Sequence, residues 1–167
     1  MIKFDLKMKN TKVEHMVEMM RCGPPLENLL ERRIVNKISE EEDLLYLKIK
    51  MPGFMSTRDN LVKKTVSKMP DGSTLLTIKS TGGDEVAEQA GVVRIEMFKT
   101  QQYRQDPENP DDLLITDFST MDMKGYFPMR IMNMMLGTMM PKSIAKMSET
   151  LEKVKNNGGK LPAELES

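Results

Sequence analysis

The stretch DMKGYFPMRIMNMMLGTMMPKS, residues 122–143, decides how the rest of the chain is read. Six of the twelve residues 129–140 are methionine, on what reads as a helix over 127–154. Pro141 should kink that helix, because its ring removes a backbone donor and crowds the preceding turn. A membrane span needs about 20 mostly apolar residues, and Arg130, Asn133, Thr138, Pro141 and Lys142 interrupt this one. Thioethers suit Cu(I), yet these methionines alternate around the helix, and His15 and Cys22 are far off in sequence, so no metal site is expected. Ile131, Met132, Met135, Leu136 and Met139 share one face at helical spacing. That stripe is either plain core or the lid of an apolar pocket, and spacing alone leaves both open.

Outward from the helix, the chain before it reads as strands in series. The candidates are 33–39, 44–50, 60–69, 74–81, 92–103 and 113–121, separated by Gly-, Pro- and Asp-rich turns. Ahead of them, residues 2–8 alternate apolar and polar, as a half-buried strand does. Two short helices should follow. One is capped by Thr11 with Glu14 and carries Val13, Met16, Val17 and Met20; the other covers 26–32. Six consecutive strands with short links argue an antiparallel sheet. The lone long helix must bury its stripe against that sheet. The expected fold is therefore α+β, a curved antiparallel sheet of about seven strands wrapped around one C-terminal helix. Residues 1–155 form one domain, and 156–167, with Gly158, Gly159 and Pro162, read as a disordered tail.

Composition narrows the function. A chain of 167 residues can bury roughly 70% of its unfolded surface and hold a real core. Lys and Arg number 25 against 25 Asp and Glu, so no global basic field recruits nucleic acid. One cysteine and no secretory pattern in MIKFDLKMKN point to the cytoplasm, with Cys22 a small buried filler. There are 18 methionines and no tryptophan, and methionine lines adaptable apolar surfaces. The single histidine has no visible nucleophile partner, and Gly82-Gly83-Asp84 lacks the rest of a phosphate loop. Neither a catalytic residue nor a cofactor is expected.

Two features favour the pocket. Asp117 and Ser119 share a face with Ile115 and Met121, and a dry core would reject them unless each found a partner. The loop 51–57 carries Met51, Phe54 and Met55 beside Pro52 and Gly53, an apolar tip suited to a gate or a membrane contact.

Several motifs then fall in order. They are Asp122, Lys124, Gly125, Tyr126, Pro128, Met132-Asn133 and Met140-Pro141-Lys142 at the last helix, Arg58-Asp59 at a strand start, and Val93, Arg94 and Glu96 on a later strand. A fourth segment opens at Leu26 and Glu27. Together they resemble the START domain, the steroidogenic acute regulatory protein-related lipid transfer family, over about 12–154. Leu26 stands where the family has Trp, and Asn60 where it usually has Phe. The family's amino-terminal helix and first two strands have no counterpart before Met1, which would leave a sheet edge open for self-association.

The resemblance implies a helix-grip fold around an apolar tunnel that carries one lipid without chemistry. The lipid could be a sterol, a phospholipid, a ceramide or a fatty acid. Ile131, Met132, Met135, Leu136, Met139 and Phe118 would line the tunnel. Lys64, Arg94 and Glu96 are the candidates to choose the head group. The plainer reading has Arg94 pair with Glu96 on the outside and leaves Lys64 solvated. The loop 51–57 matches the family's gate, so Met51, Phe54, Met55, Tyr126 and Phe127 would open together and touch membranes transiently. The rival readings are a regulatory module with a filled cavity and an enzyme of the same fold, for which Asp117 is the testable acid or base.

Overall fold

The computed structural model describes residues 1–21 and 25–165, with the backbone alone at 135 and 136. Cys22 lies outside the described residues. Among those described, one sheet holds eight strands: β1 (Ile2–Met8), β2 (Leu29–Lys37), β3 (Glu42–Ile49), β4 (Thr57–Lys68), β5 (Thr74–Ser80), β6 (Val92–Arg94), β7 (Glu96–Gln105) and β8 (Leu113–Asp122). Their spatial order is β1-β8-β7-β5-β4-β3-β2, antiparallel throughout, with the short β6 lying parallel against β4. Helix α1 (Val13–Met19) follows β1. The chain ends in α2 (Met129–Met134), a π-helical turn (Met135–Met139) and α3 (Met140–Asn156). This is the helix-grip plan, a curved sheet around a long C-terminal helix.

Four local expectations are corrected. The second short helix over 26–32 is absent, and β2 begins instead at Leu29, paired with Ile49. A seven-residue helix is marginal alone, whereas β3 carries a buried run from Leu44 to Leu47 that needs a ladder partner on this side. The strand expected over 92–103 breaks at Ile95, whose N–H bonds to Asp59 O (2.9 Å), so β6 pairs with β4 while β7 pairs with β5 and β8. Thr11 does not cap α1, because its hydroxyl donates to Lys9 O (2.8 Å).

The fourth correction concerns residues 157–165, which fold back instead of fraying. Gly158 and Gly159 have positive φ, and the Gly159 N–H reaches Val154 O (2.9 Å), a Schellman-type end to α3. Leu161 is then buried, its N–H bonded to Glu18 Oε1 (3.0 Å), and Arg32 reaches Leu165 O. An apolar residue just past the cap is what holds this return.

Where the sequence predicts a kink, the helix widens into a π turn ahead of Pro141. Proline cannot bond to Gly137 O and crowds it, and the π turn over Met135–Met139 places that mismatch in a loosened segment.

The core sits at one end of the inner face. Met16, Met19 and Met20 from and beside α1, Leu151 and Val154 of α3, and Leu161 close over Leu45, Val62, Leu76, Ile78, Tyr103, Leu113 and Ile115. At the other end, α2 has no buried residue.

Candidate functional site

The inner face changes character along β7 and β8. Registered pairs run Tyr103–Ile115, Gln101–Asp117, Lys99–Ser119 and Met97–Met121, from the sealed end to the open one. Period-two alternation puts Lys99 and Gln101 on the same face as Tyr103, which the sequence reading did not draw out. Asp117 is fully buried. Its Oδ2 accepts from Lys99 Nζ (2.9 Å) and Gln101 Nε2 (2.6 Å), and Gln101 Oε1 accepts from the Tyr103 hydroxyl (2.7 Å). Burial, reinforced by the Asp117 charge, pushes the Tyr103 hydroxyl pKa far up, so it stays a donor. Asp117 Oδ1 is buried with no partner, and so is Asn60 Nδ2 on the same face. Ser80 donates to Asn60 Oδ1 (2.8 Å) and accepts from the Met97 N–H (2.7 Å).

Lys64 is buried on this face, not solvated. It pairs with Asp43 (2.7 Å) and donates to Arg21 O (2.7 Å), just beyond α1. Arg94 is not its neighbour. It clamps Asp59 with two bonds (2.9 and 2.8 Å) on the outer face, where Tyr46 also donates to Asp59 (3.1 Å). Burial and the Asp59 charge push Tyr46 up to about 12. Glu96 pairs instead with Lys124 (3.0 Å), so the Arg94–Glu96 pair is corrected. Phe118 is corrected as well. It points outward from β8, partly exposed, with Lys3 5.2 Å from its ring.

The residues expected to form a gate meet at one turn after β8. Asp122 Oδ1 accepts the Lys124 N–H (2.9 Å), and Lys124 and Gly125 both turn at positive φ. That turn swings the chain from β8 toward α2. Bonds from Lys124 hold the Asp122 carboxyl below its usual range, and Glu96 with Asp122 raises Lys124. Arg58 ties the hinge to the loop, donating to Met123 O (3.1 Å), Ser56 O (2.6 Å) and Lys124 O (3.5 Å). Beneath it Met51, Ile95 and Met123 form a small core with Met55 and Phe127 against it. Met51 is therefore buried packing and not a gate tip. Phe54 and Tyr126 stand in solvent.

On the last helix, Ile131, Met132 and Met139 are half-buried. The side chains of Met135 and Leu136 lie outside what is described. A cleft of about 820 Å³ opens at the top of the sheet, lined by Ser80, Val86, Arg94, Met97, Phe98 and Met121 among others. A second of about 260 Å³ shares Met121 with it and is lined by Phe127, Met129 and Met132. Among the described residues no helix is long and apolar enough to cross a membrane.

Comparison with known proteins agrees with this geometry. The START domain family matches residues 8–157. Human STARD10 superposes with a TM-score of 0.73 at 17% identity, over 92% of this chain and 64% of its own. Human StAR-related lipid transfer protein 5 gives 0.70 at 16% identity, over 90% and 73%. A STAR-related lipid transfer protein from Xanthomonas axonopodis gives 0.72 at 17%, over 90% and 84%. The chain thus spans under two thirds of STARD10. No curated protein matches the sequence.

Proposed function

Because this chain belongs to the START domain family, whose members bind and transfer lipids and are in general not enzymes, we propose that it holds a single lipid on the open half of the inner face and passes it between membranes without chemistry. The observation that carries this is the unsealed end. An orphaned buried carboxylate oxygen, in a carboxylate paired with a partly exposed lysine, lies on the inner face, and α2 buries no residue of its own. Burying a lipid chain gains about 0.8 kcal/mol per CH₂, so uptake needs no covalent step. Release needs the lid to move, and the Arg58-tied hinge supplies the moving part. Phe54 and Tyr126 would meet the membrane during that step, from a cytoplasmic pool.

The experiment is native mass spectrometry of the purified protein, with sterol and phospholipid transfer between liposomes. A bound lipid and measurable transfer are expected. A ligand-free protein that moves neither lipid would sink the proposal.

A second reading rests on the packed end. If Met16, Met19 and Leu151 fill what would be the tunnel, the chain is a non-transferring regulatory module. It predicts no transfer by a folded protein. Strand β1 is paired only with β8 among the described residues, so its other edge offers a route to self-association.

A further inference from the structure

The methionines differ sharply in depth. Met16, Met19, Met20 and Met51 are buried to within 2% of full cover. Met129 is 71% exposed, Met121 is 49% and Met132 is half-buried. These last three meet at one place. They line the smaller cleft, of about 260 Å³, between the end of β8 and α2. The other apolar side chains lining it are Phe127 and Met123, and Met123 is buried against Met51 and Ile95. Since α2 buries no residue of its own, this thioether seam is what its inner side rests on.

A thioether fills such a seam softly, and a two-electron oxidant turns it polar in place. With hydrogen peroxide, the sulfur lone pair attacks one oxygen as the O–O bond breaks. The departing hydroxide takes the proton left on the new S–O group and leaves as water. Sulfur loses two electrons and the peroxide gains them. A dithiol reductase reverses the step, giving back the sulfide and water and ending as a disulfide. Attack follows exposure, so the seam reacts while the core methionines are shielded. A sulfoxide oxygen then needs a donor, and the side chains of Phe127 and Met123 offer none. It either turns to solvent and gives up its contact or stays unpaired, and both outcomes loosen α2.

We propose that Met121, Met129 and Met132 form a reversible oxidation site that unlatches α2, and that peroxide thereby lowers the hold on a molecule carried on the inner face. The unlatching stands without the lipid-carrying reading above; its effect on a bound lipid rests on that reading.

The test treats the full chain with hydrogen peroxide and maps each methionine by peptide mass spectrometry. Met121 and Met129 should oxidise about tenfold faster than Met16, Met19 and Met51. Hydrogen exchange then reads the helix. Residues 129–134 should lose protection about tenfold, the scale of one polar group placed in an apolar contact, while 150–154 keep theirs. Methionine sulfoxide reductase with dithiothreitol should restore it. The triple variant Met121→Leu, Met129→Leu, Met132→Leu keeps apolar side chains that peroxide does not oxidise. Compared with itself before treatment, it should show no change in α2. Native mass spectrometry of the unmodified protein reads bound lipid before and after treatment, and occupancy should fall with the protection.

Equal oxidation of seam and core overturns the proposal. So do seam sulfoxides that leave α2 as protected as before, and so does a loss that persists in the leucine variant, which would assign it to other methionines. Lipid held equally well by the unlatched protein overturns the part that concerns the hold. A protein without lipid in either state, whose α2 still loosens reversibly, upholds the oxidation site and removes the lipid-carrying reading instead.

Discussion

Two lysine–aspartate pairs face the inside of the sheet, and they differ in completeness. Lys64 and Asp43 are both nearly covered, Lys64 also holds Arg21 O, and neither leaves a buried atom without a partner. Lys99 and Asp117 are the opposite case. The lysine is partly wet and the aspartate keeps an orphaned oxygen. The first pair lies beside the Arg21 carbonyl, just past α1, and α1 packs against α3. The second lies on the adjoining strands β7 and β8, between registered pairs Tyr103–Ile115 and Met97–Met121. One sheet face thus carries one polar contact with every buried atom partnered and one with an orphaned oxygen.

The largest effect should come from breaking the finished pair. Lys64→Met strands Asp43 as a buried, unpaired charge and should cost about 3–5 kcal/mol in chemical denaturation. Lys99→Met should cost less, about 1–3 kcal/mol, because water can reach its site and Gln101 still serves Asp117. Equal losses at both positions would erase the distinction between the two ends.

The apolar residues make the same contrast. Leu151→Ala cuts into the sealed core and should cost about 2–5 kcal/mol, read from urea midpoints. Met132→Ala, on the half-buried lid, should cost under about 1 kcal/mol and instead reduce lipid occupancy. A large stability loss for Met132→Ala would place the lid in the core.

The sequence carried the architecture well and the site partly. Alternation in residues 2–8, turn residues between the strands and the stripe at Met132 and Met139 are local patterns, so they survive folding. Asp117 stood out because it broke the apolar face it belongs to. Its partners did not stand out, since pairing Lys99 and Gln101 with Asp117 needs the β7–β8 register, which no single strand encodes. Arg94 was misread for a related reason. The break at Ile95 moved it beside β4 and Asp59, away from Glu96. Leu29 read as helix because its i, i+3, i+4 spacing with Leu26 and Leu30 is helical, and pairing with the bare edge of β3 overrode that local pattern. Phe118 failed by one position, where period two sends alternate residues to opposite faces.

At the gate, the expected effects on stability are smaller still. Phe54→Ala with Tyr126→Ala removes two rings that already stand in solvent, so stability should move by under about 0.5 kcal/mol. On the proposed function, in which these exposed rings meet the membrane, transfer between liposomes should slow severalfold. Unchanged transfer would move the membrane contact elsewhere. A marked loss of fold would make the loop part of the core, as Met51 is.

The smallest effect concerns acid, and it separates the two ends by their clamps. Lys7 spans Asp106 (2.5 Å) and Asp112 (3.3 Å) beside the sealed end, while Lys124 spans Glu96 and Asp122 at the hinge. Lys7 holds Asp106 below its usual range, and backbone bonding from Asn10 does most of the same for Asp112. A lowered folded-state pKa means that the stabilisation is complete above the ordinary value of 3.8 and fades as pH drops through the lowered one. The raised lysines behave in the other sense, contributing fully below 10.5 and losing it only as pH climbs past their raised values. Unfolding midpoints should therefore be flat from about pH 5 to 9 and decline below pH 4. Lys7→Met should flatten that acid decline without touching lipid transfer, and Lys124→Met should flatten it while altering transfer. If Lys124→Met leaves transfer unchanged, the hinge clamp has no part in it; if both variants alter transfer equally, the two ends are not mechanically distinct.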